Sequence, residues 1–247
     1  MLTDDELLRY SRQILLPEID VAGQESLAAA TVLVVGAGGL GNPAALYLAG
    51  AGLRKLIIAD GDALESSNLH RQIAFRETQN GENKAQALAA QLSALNPSVN
   101  IQAHDQFADE VWLHSVLLGV TVVLDCSDNF ATRSLVNRAC RAHGVPLVSG
   151  AAIRFEGQLV TFDFRQPNAP CYGCLYGDGD GPDTFCSESG ILGPVVGIIG
   201  TMQAMQAIKL ICAIEVEQKL YLFDGKTMNW QSIGFRKDPA CPVCSAS

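Results

Sequence analysis

A glycine-rich turn set between two apolar runs limits what this chain can fold into more than any other feature. Residues 31–35 read as a buried strand, and Gly36-Ala-Gly-Gly-Leu-Gly41 follows at once and opens a helix extending to about Ala51. A second strand over residues 55–60 ends on Asp60, 19 residues beyond Gly41. Glycines there let the backbone approach a nucleotide and aim helix N–H groups at its phosphates. An acid at the position of Asp60 commonly accepts hydrogen bonds from ribose hydroxyls. The competing reading is that Gly36, Gly38, Gly39 and Gly41 serve only close packing of helix on strand. Nicotinamide and flavin cofactors are the commonest occupants of such turns. No Gly-x-x-x-x-Gly-Lys-Ser/Thr run is present, which disfavours a P-loop phosphotransferase.

The alternation continues down the chain. A first helix is expected over residues 4–15, with Thr3 and Glu6 in the capping-box arrangement. Helices are expected at 83–95, 109–118 and 129–143, and strands at 99–103, 120–125 and 146–150. The run 158–164 suits antiparallel pairing at the far side of the sheet, as do late strands at 219–223 and 229–235. Residues 166–189, rich in Gly, Pro, Asp and Cys, are expected as a long loop or lid. The fold class is therefore α/β: a Rossmann-like, mainly parallel sheet flanked by helices, with late antiparallel strands and a four-cysteine zinc knuckle. All 247 residues form one domain in this reading: an N-terminal helical arm (1–30), a nucleotide-binding core (31–165), then a crossover loop, interface helix and zinc-pinned tail (166–247).

Charge and hydropathy narrow the partners. A formal net charge of -9 weighs against nucleic acid. The acidic start, Met1 to Glu6, is followed by no apolar leader segment, so a cytoplasmic location is expected. Residues 189–208 carry no charge and are long enough to cross a bilayer. Gly190, Gly193, Pro194, Gly197 and Gly200 interrupt them, and Gln203 and Gln206 share a helix face, so a buried or subunit-interface helix is the expectation, with no membrane partner.

Asp62, the run Ser67-Asn-Leu-His-Arg-Gln72 and Lys84 fall between the second strand and the next helix, where the open end of the sheet exposes them. They add cationic and amide donors beside the nucleotide. Attack of a carboxylate on the α-phosphorus of ATP builds charge on phosphoryl oxygens and departing pyrophosphate, which Arg and Lys donors and Mg²⁺ stabilise. Asp128, after a central strand, is the candidate magnesium ligand. Taken singly, Arg71 and Lys84 are as readily solvated surface residues, and His70 a structural one.

Cys171-Tyr-Gly-Cys174 and Cys241-Pro-Val-Cys244 offer four soft thiolates to a tetrahedral Zn²⁺, with a disulfide as the competing reading. Four thiolates leave no open position, so the metal is structural and pins the tail to the body. Cys126, Cys140 and Cys212 read as packing residues, whereas Cys186 stands in a polar loop as a possible reactive thiol.

Tyr10-Ser-Arg-Gln13, the Gly36 turn, Ser67 to Gln72, Lys84, Cys126-Ser-Asp-Asn129, Ser149 to Gln158 and the cysteine spacing together resemble the MoeB/ThiF family over nearly the whole chain. That resemblance implies ATP held by Gly39 of the glycine turn with Asp60, Ser67, Asn68, Arg71 and Lys84, to which position in the chain adds the rest of the turn, Asp62 and Gln72. It implies Mg²⁺ organised by Asp128, Asn129 lining the site, and a homodimer in which Arg12 reaches the partner subunit's nucleotide. The implied reaction adenylylates the C-terminal carboxylate of a ubiquitin-like sulfur-carrier protein ending in Gly-Gly, with Arg71, Lys84, Asp128 and Arg12 as catalytic groups and no enzyme nucleophile. The segment from Ser149 to Gln158 resembles the molybdopterin branch, with a MoaD-like carrier. Leu222-Phe-Asp-Gly-Lys-Thr and Trp230 resemble the thiamine branch, with a ThiS-like carrier. The reading leans to the MoaD-like carrier. In the thiamine branch a cysteine matching Cys186 is linked covalently to the carrier, and in the molybdopterin branch it is dispensable. The chain ends three residues after Cys244, so the sulfurtransferase extension of some relatives is expected to be absent and a separate protein to donate sulfur. His70 replaces a Gln found in many relatives and would make the site pH-sensitive. A nicotinamide-dependent oxidoreductase and a noncatalytic docking protein are the readings from other classes.

Overall fold

The structure is a computed structural model describing residues 2–177 and 190–245. Helices α1 (Asp4–Arg9), α2 (Ser11–Ile14) and α3 (Asp20–Ala29) precede the sheet. The capping box of Thr3 and Glu6 starts α1 as expected, but the single helix expected over 4–15 breaks at Tyr10. The Tyr10 ring lies against Gly52, where no Cβ fits, and its hydroxyl accepts a 2.9 Å bond from Asn96 Nδ2. Seating that ring bends the chain between α1 and α2.

Strand β1 (Thr31–Val35) leads through the glycine turn into α4 (Gly41–Gly50) and β2 (Lys55–Ala59). Then follow α5 (Lys84–Leu95), β3 (Asn100–His104), α6 (Glu110–Val116), β4 (Val122–Asp125), α7 (Phe130–His143), β5 (Leu147–Ile153) and β6 (Glu156–Phe162). A short α8 (Tyr172–Tyr176), α9 (Gly193–Ile211), β7 (Lys219–Asp224) and β8 (Asn229–Gly234) complete the chain. The helix α8 lies inside the segment expected as loop.

All strands form one sheet in the order β3-β2-β1-β4-β5-β6-β7-β8, parallel from β3 to β5 and antiparallel from there to β8. Because alternate side chains of a strand face opposite ways, the sheet splits the core in two. Val32, Val34, Leu56, Ile58, Val122 and Leu124 pack under α3, α4, α5 and α9, while Leu33, Val35, Ile57, Val123 and Leu147 pack under α6, α7 and the cysteine tail. Both faces of β1, β2 and β4 are thus covered over most of their length, which explains their aliphatic runs, while the edge strand β3 stays partly exposed. The chain runs outward from β1 through β2 to β3, then crosses back to β4 on the other side of β1. That reversal leaves a crevice beyond the carboxyl ends of β1 and β4, the usual place for a ligand in such sheets.

The uncharged stretch near 189–208 becomes α9, packed on α4 and on β4 to β6. Gln203 is fully buried in it, and its Nε2 donates to the carbonyls of Asp125 at 2.7 Å and Val148 at 3.1 Å. A helix carrying such a group inward is a core helix: in a bilayer those polar atoms would face hydrocarbon.

Candidate functional site

The crevice is a cleft of about 770 Å³ lined by Gly36, Gly38 and Gly39 after β1, Asp60 and Asp62 after β2, and Ser127, Asp128 and Asn129 after β4. The segment between β2 and α5 adds His70, Arg71, Gln72 and Lys84. Gly36 adopts φ +95°, and a Cβ there would approach the Cys126 carbonyl oxygen at 2.7 Å, so the two chain turns meet edge to edge only because this residue is glycine. Four helices of ten or more residues, α4, α5, α7 and α9, begin at or beside this cleft. Their amino ends favour negative charge.

Asp60 is 8% exposed and fixes the turn: its Oδ2 accepts from Ala37 N at 2.7 Å and its Oδ1 from Asp62 N at 2.9 Å. Burial raises its pKa above the ordinary carboxylate value, a rise that these two N–H bonds and the charge of Lys84 reduce but do not cancel. Lys84 opens α5 and is itself buried; its Nζ bonds Asp62 Oδ2 at 2.7 Å. Asn83, the N-cap of α5, donates to the carbonyls of Asp60 and Asp62, so one residue ties the α5 end to the loop that carries both acids. Arg71 Nη1 bonds His70 Nε2 at 2.8 Å and the Ser67 carbonyl at 3.1 Å. Gln72 is 3% exposed, and its Oε1 has no hydrogen-bond partner although the residue lines the cleft. A buried acceptor left open at a cleft wall is suited to a ligand's donor.

Asp128 is exposed at the rim, 3.5 Å from Asn129 Nδ2, and Asn129 caps α7 by accepting from Thr132 N. An exposed carboxylate on this rim has open lone pairs for a hard cation such as Mg²⁺. Behind it, the buried Asp125 accepts from Ser127 Oγ at 2.6 Å and Ser149 Oγ at 2.8 Å, which holds the turn after β4.

The structure therefore brings together Gly36, Gly38, Gly39, Asp60, Asp62, Arg71, Gln72, Lys84, Asp128 and Asn129. It leaves four expected residues out of the cleft lining. Gly41 lies inside α4, where its missing Cβ makes room for the Gly36 carbonyl, a packing role rather than a lining one. Ser67 and Asn68 form a short 3₁₀ turn and are bonded to Glu65. Arg12 is exposed on α2, away from the lining of its own chain's cleft. Sequence reasoning missed Thr132 and Arg133 on the first turn of α7, which also line the cleft. Arg133 Nη2 donates to the Ser127 carbonyl at 2.9 Å. An N-cap Asn followed within one turn by Thr and Arg was the available signal.

The four knuckle cysteines converge around α8, which packs beside the middle of α7. Sulfur separations are 3.9 Å for Cys171 and Cys174, 3.6 Å for Cys171 and Cys241, and 3.4 Å for Cys174 and Cys244. A tetrahedron with Zn–S bonds near 2.3 Å has edges of about 3.8 Å, so the donor set fits zinc. Asn137 Oδ1 of α7 accepts from Tyr172 N at 2.9 Å and binds the knuckle to the body. Cys126 and Cys140 are buried, and burial pushes both thiols well above the ordinary value, as packing residues require. Cys212 caps α9 and is half-buried, rather than lying within the helix. Cys186 lies outside the described residues.

A family description, the ThiF family, matches residues 10–243. The sulfur carrier protein ThiS adenylyltransferase of Escherichia coli (strain K12) is 44% identical over 247 residues, covering 100% of this chain and 98% of its own. The SAMP-activating enzyme E1 of Haloferax volcanii is 41% identical over 97% of this chain and 89% of its own. The adenylyltransferase and sulfurtransferase MOCS3 of Mus musculus is 45% identical over 98% of this chain, which spans only 54% of that longer protein. Among solved structures, Escherichia coli MccB with ATP superposes with a TM-score of 0.82 at 23% identity, over 96% of this chain and 74% of that one, and shares the fold. The site and fold define a nucleotide-binding enzyme of the adenylyltransferase class. The chain belongs to the ThiF family, the MoeB/ThiF group that its motifs resemble.

Proposed function

We propose that this enzyme uses Mg-ATP to adenylylate the C-terminal glycine carboxylate of a ubiquitin-like sulfur-carrier protein in the cytoplasm. One observation carries the reading: a ThiF-family chain places its glycine turn, Asp60, Arg71, Lys84 and Asp128 around one cleft beneath helix amino ends. In this proposal the turn and Asp60 hold the nucleoside, and Gln72 offers its open amide oxygen to a donor on it. Arg71 and Lys84 hold the polyphosphate, Ser67 and Asn68 support the loop that carries Arg71, and Asn129 borders the reacting end. Asp128 holds Mg²⁺, which supplies charge neutralisation at the phosphates when bound. A carrier carboxylate is ionised at neutral pH and needs no enzyme base. Its oxygen attacks the α-phosphorus, the bond from that phosphorus to the bridging oxygen breaks, and pyrophosphate leaves.

Lys84 is bonded to Asp62 and Arg71 to His70, so each guanidinium or ammonium must turn toward the phosphates as they bind. Water is displaced from the cleft in the same event, which strengthens both contacts. The enzyme works as a homodimer in this reading, with Arg12 completing the partner subunit's site, and a separate protein donates sulfur to the acyl-adenylate. All 247 residues act as one adenylation domain stapled by Zn²⁺.

Correspondence with the Escherichia coli ThiS adenylyltransferase from end to end favours a ThiS-like carrier. A MoaD-like carrier is the second reading, favoured by the segment from Ser149 to Gln158. ATP–pyrophosphate exchange separates them: zinc-loaded protein with Mg²⁺ is given either carrier, each with its Gly-Gly end intact or deleted. Exchange that depends on one intact tail is expected. Exchange that ignores the tail, or none with either carrier, overturns the proposal.

A further inference from the structure

A second concavity lies on the other face of β2 and β3, away from the nucleotide cleft. It is a groove of about 510 Å³. By strand alternation its floor is the outward row Thr31, Lys55, Ile57, Asn100, Gln102 and His104, and its wall is Trp112 and Val116 of α6. Here α6 is only seven residues long and leaves the end of the sheet uncovered. Where a parallel strand is normally apolar on both faces, β3 presents three polar side chains to this groove.

Charge makes the groove unusual for this chain. Acidic residues outnumber basic ones 26 to 17 overall, yet no carboxylate lines it, while Arg54 and Lys55 stand side by side at its end. Neither side chain makes a hydrogen bond or ion pair among the described residues, and Lys55 is partly buried. Cations that serve only solubility on such a surface find carboxylates nearby; two held together in an acid-free concavity create a local positive field. Beside them Trp112, half-buried and edge-on to His104 with ring centroids 5.2 Å apart, offers a flat apolar wall continued by Val116 and Ile57.

We propose that this groove is a second ligand site, which takes a small phosphorylated aromatic molecule: the phosphate on Arg54 and Lys55, the ring against Trp112, and polar substituents on Asn100 and Gln102. It is independent of the adenylylation reading. None of its residues lines the nucleotide cleft, and Trp112 forms its wall.

The chain has two tryptophans, so Trp230→Phe leaves Trp112 as the single emitter. Zinc-loaded W230F protein is titrated with phenyl phosphate, with phenol and with inorganic phosphate, exciting tryptophan alone. A saturable change with phenyl phosphate is expected, at least tenfold weaker with either fragment. The same titration on W230F carrying Arg54→Ser and Lys55→Ser is expected to lose at least tenfold in affinity, with Tm held and ATP–pyrophosphate exchange unaltered. No saturable change, or binding undiminished in the serine variant, overturns the site. A phenol response equal to that of phenyl phosphate removes the anion from the proposal and so overturns it as well.

Discussion

Two stretches of α7, its amino end and its middle, border opposite kinds of site. At its amino end, the exposed Asp128 and half-buried Asn129 border an open cleft whose charged side chains can change partners. Eight residues further on, Asn137 grips the cysteine knuckle, where Cys171, Cys241 and Cys244 are fully buried and the sulfurs already stand at tetrahedral spacing. One site is arranged for exchange and the other for permanence. The contrast teaches how this chain divides its labour: groups that must release a product sit where helix ends and N–H groups supply the field, and groups that must never release sit inside the core.

The largest effect is expected at the closed cysteine site. With zinc held by the knuckle as proposed, replacing Cys244 by Ser leaves it three thiolates, and the loss of one member of a buried charged centre costs about 3 to 5 kcal/mol. In a chain of this size that lowers Tm by about 6 to 20 °C. Calorimetry with zinc content measured alongside checks it; a C244S protein that keeps its Tm but loses exchange activity would make the knuckle a chemical part and erase the contrast.

At the open cleft the pattern reverses. Lys84→Ala, Arg71→Ala and Asp128→Ala should each lower ATP–pyrophosphate exchange by about 10²- to 10³-fold, the size typical of one lost charge-stabilising donor. Asp128→Ala should leave Tm within about 2 °C, since that residue is exposed. A loss of stability in D128A as large as that in C244S would break the distinction.

Asp60 sharpens the boundary because it is buried yet belongs to the cleft. Its raised pKa means that the folded protein holds the proton more tightly than an unfolded chain does, so the neutral form persists to higher pH than for an ordinary Asp. Its contribution to stability is therefore greatest at low pH and declines as pH rises through the shifted value. Nucleotide binding needs the ionised acceptor and runs the other way. Apparent ATP affinity should fall about tenfold per unit on the acid side of that value. Asp60→Asn should bind weakly at every pH and lack this limb; an acid limb unchanged in D60N would assign it elsewhere.

The smallest effect is expected at Asp163, past the end of β6. Burial tends to raise its pKa, but the hydrogen bonds and charge of Arg165, with Nε at 2.7 Å, outweigh burial and hold it below the ordinary value. The stability this gives is present above the ordinary carboxylate value and is lost as pH falls through the depressed one. Being partly exposed, the pair is worth about 1 kcal/mol or less. Asp163→Asn should show that deficit at pH 7 in urea melts and match the parent protein at low pH; an equal deficit at both would point to packing instead.

What the sequence made legible depended on how local the cause was. The β1 to β2 unit, its glycine turn and Asp60 were readable because strand, turn and acid lie within thirty residues and each constrains the next. The cysteine pairs were readable because two C-x-x-C runs form a local pattern that suits soft thiolate ligation better than a disulfide. Thr132 and Arg133 were missed because, unlike Asp128 and Asn129 in the turn that directly follows β4, their facing the cleft depends on how α7 packs on distant parts of the chain. The break at Tyr10 was missed for the same reason, its causes being Gly52 and Asn96. The helix α8 escaped notice because the knuckle cysteines, rather than an apolar period, shape it. Arg12 tests a further limit: its proposed target lies on another subunit, beyond what the pattern of one chain can place.

The central claim is that the cleft at the amino end of α7 joins a nucleotide to a protein tail. Intact mass spectrometry of the carrier tests it most directly, after incubation with zinc-loaded enzyme, Mg²⁺ and ATP and no sulfur donor. The account predicts that a carrier with its Gly-Gly end gains one AMP, that the gain needs Lys84 and Asp128, and that a carrier lacking those glycines gains nothing. AMP on the truncated carrier, or on the enzyme itself, would contradict it.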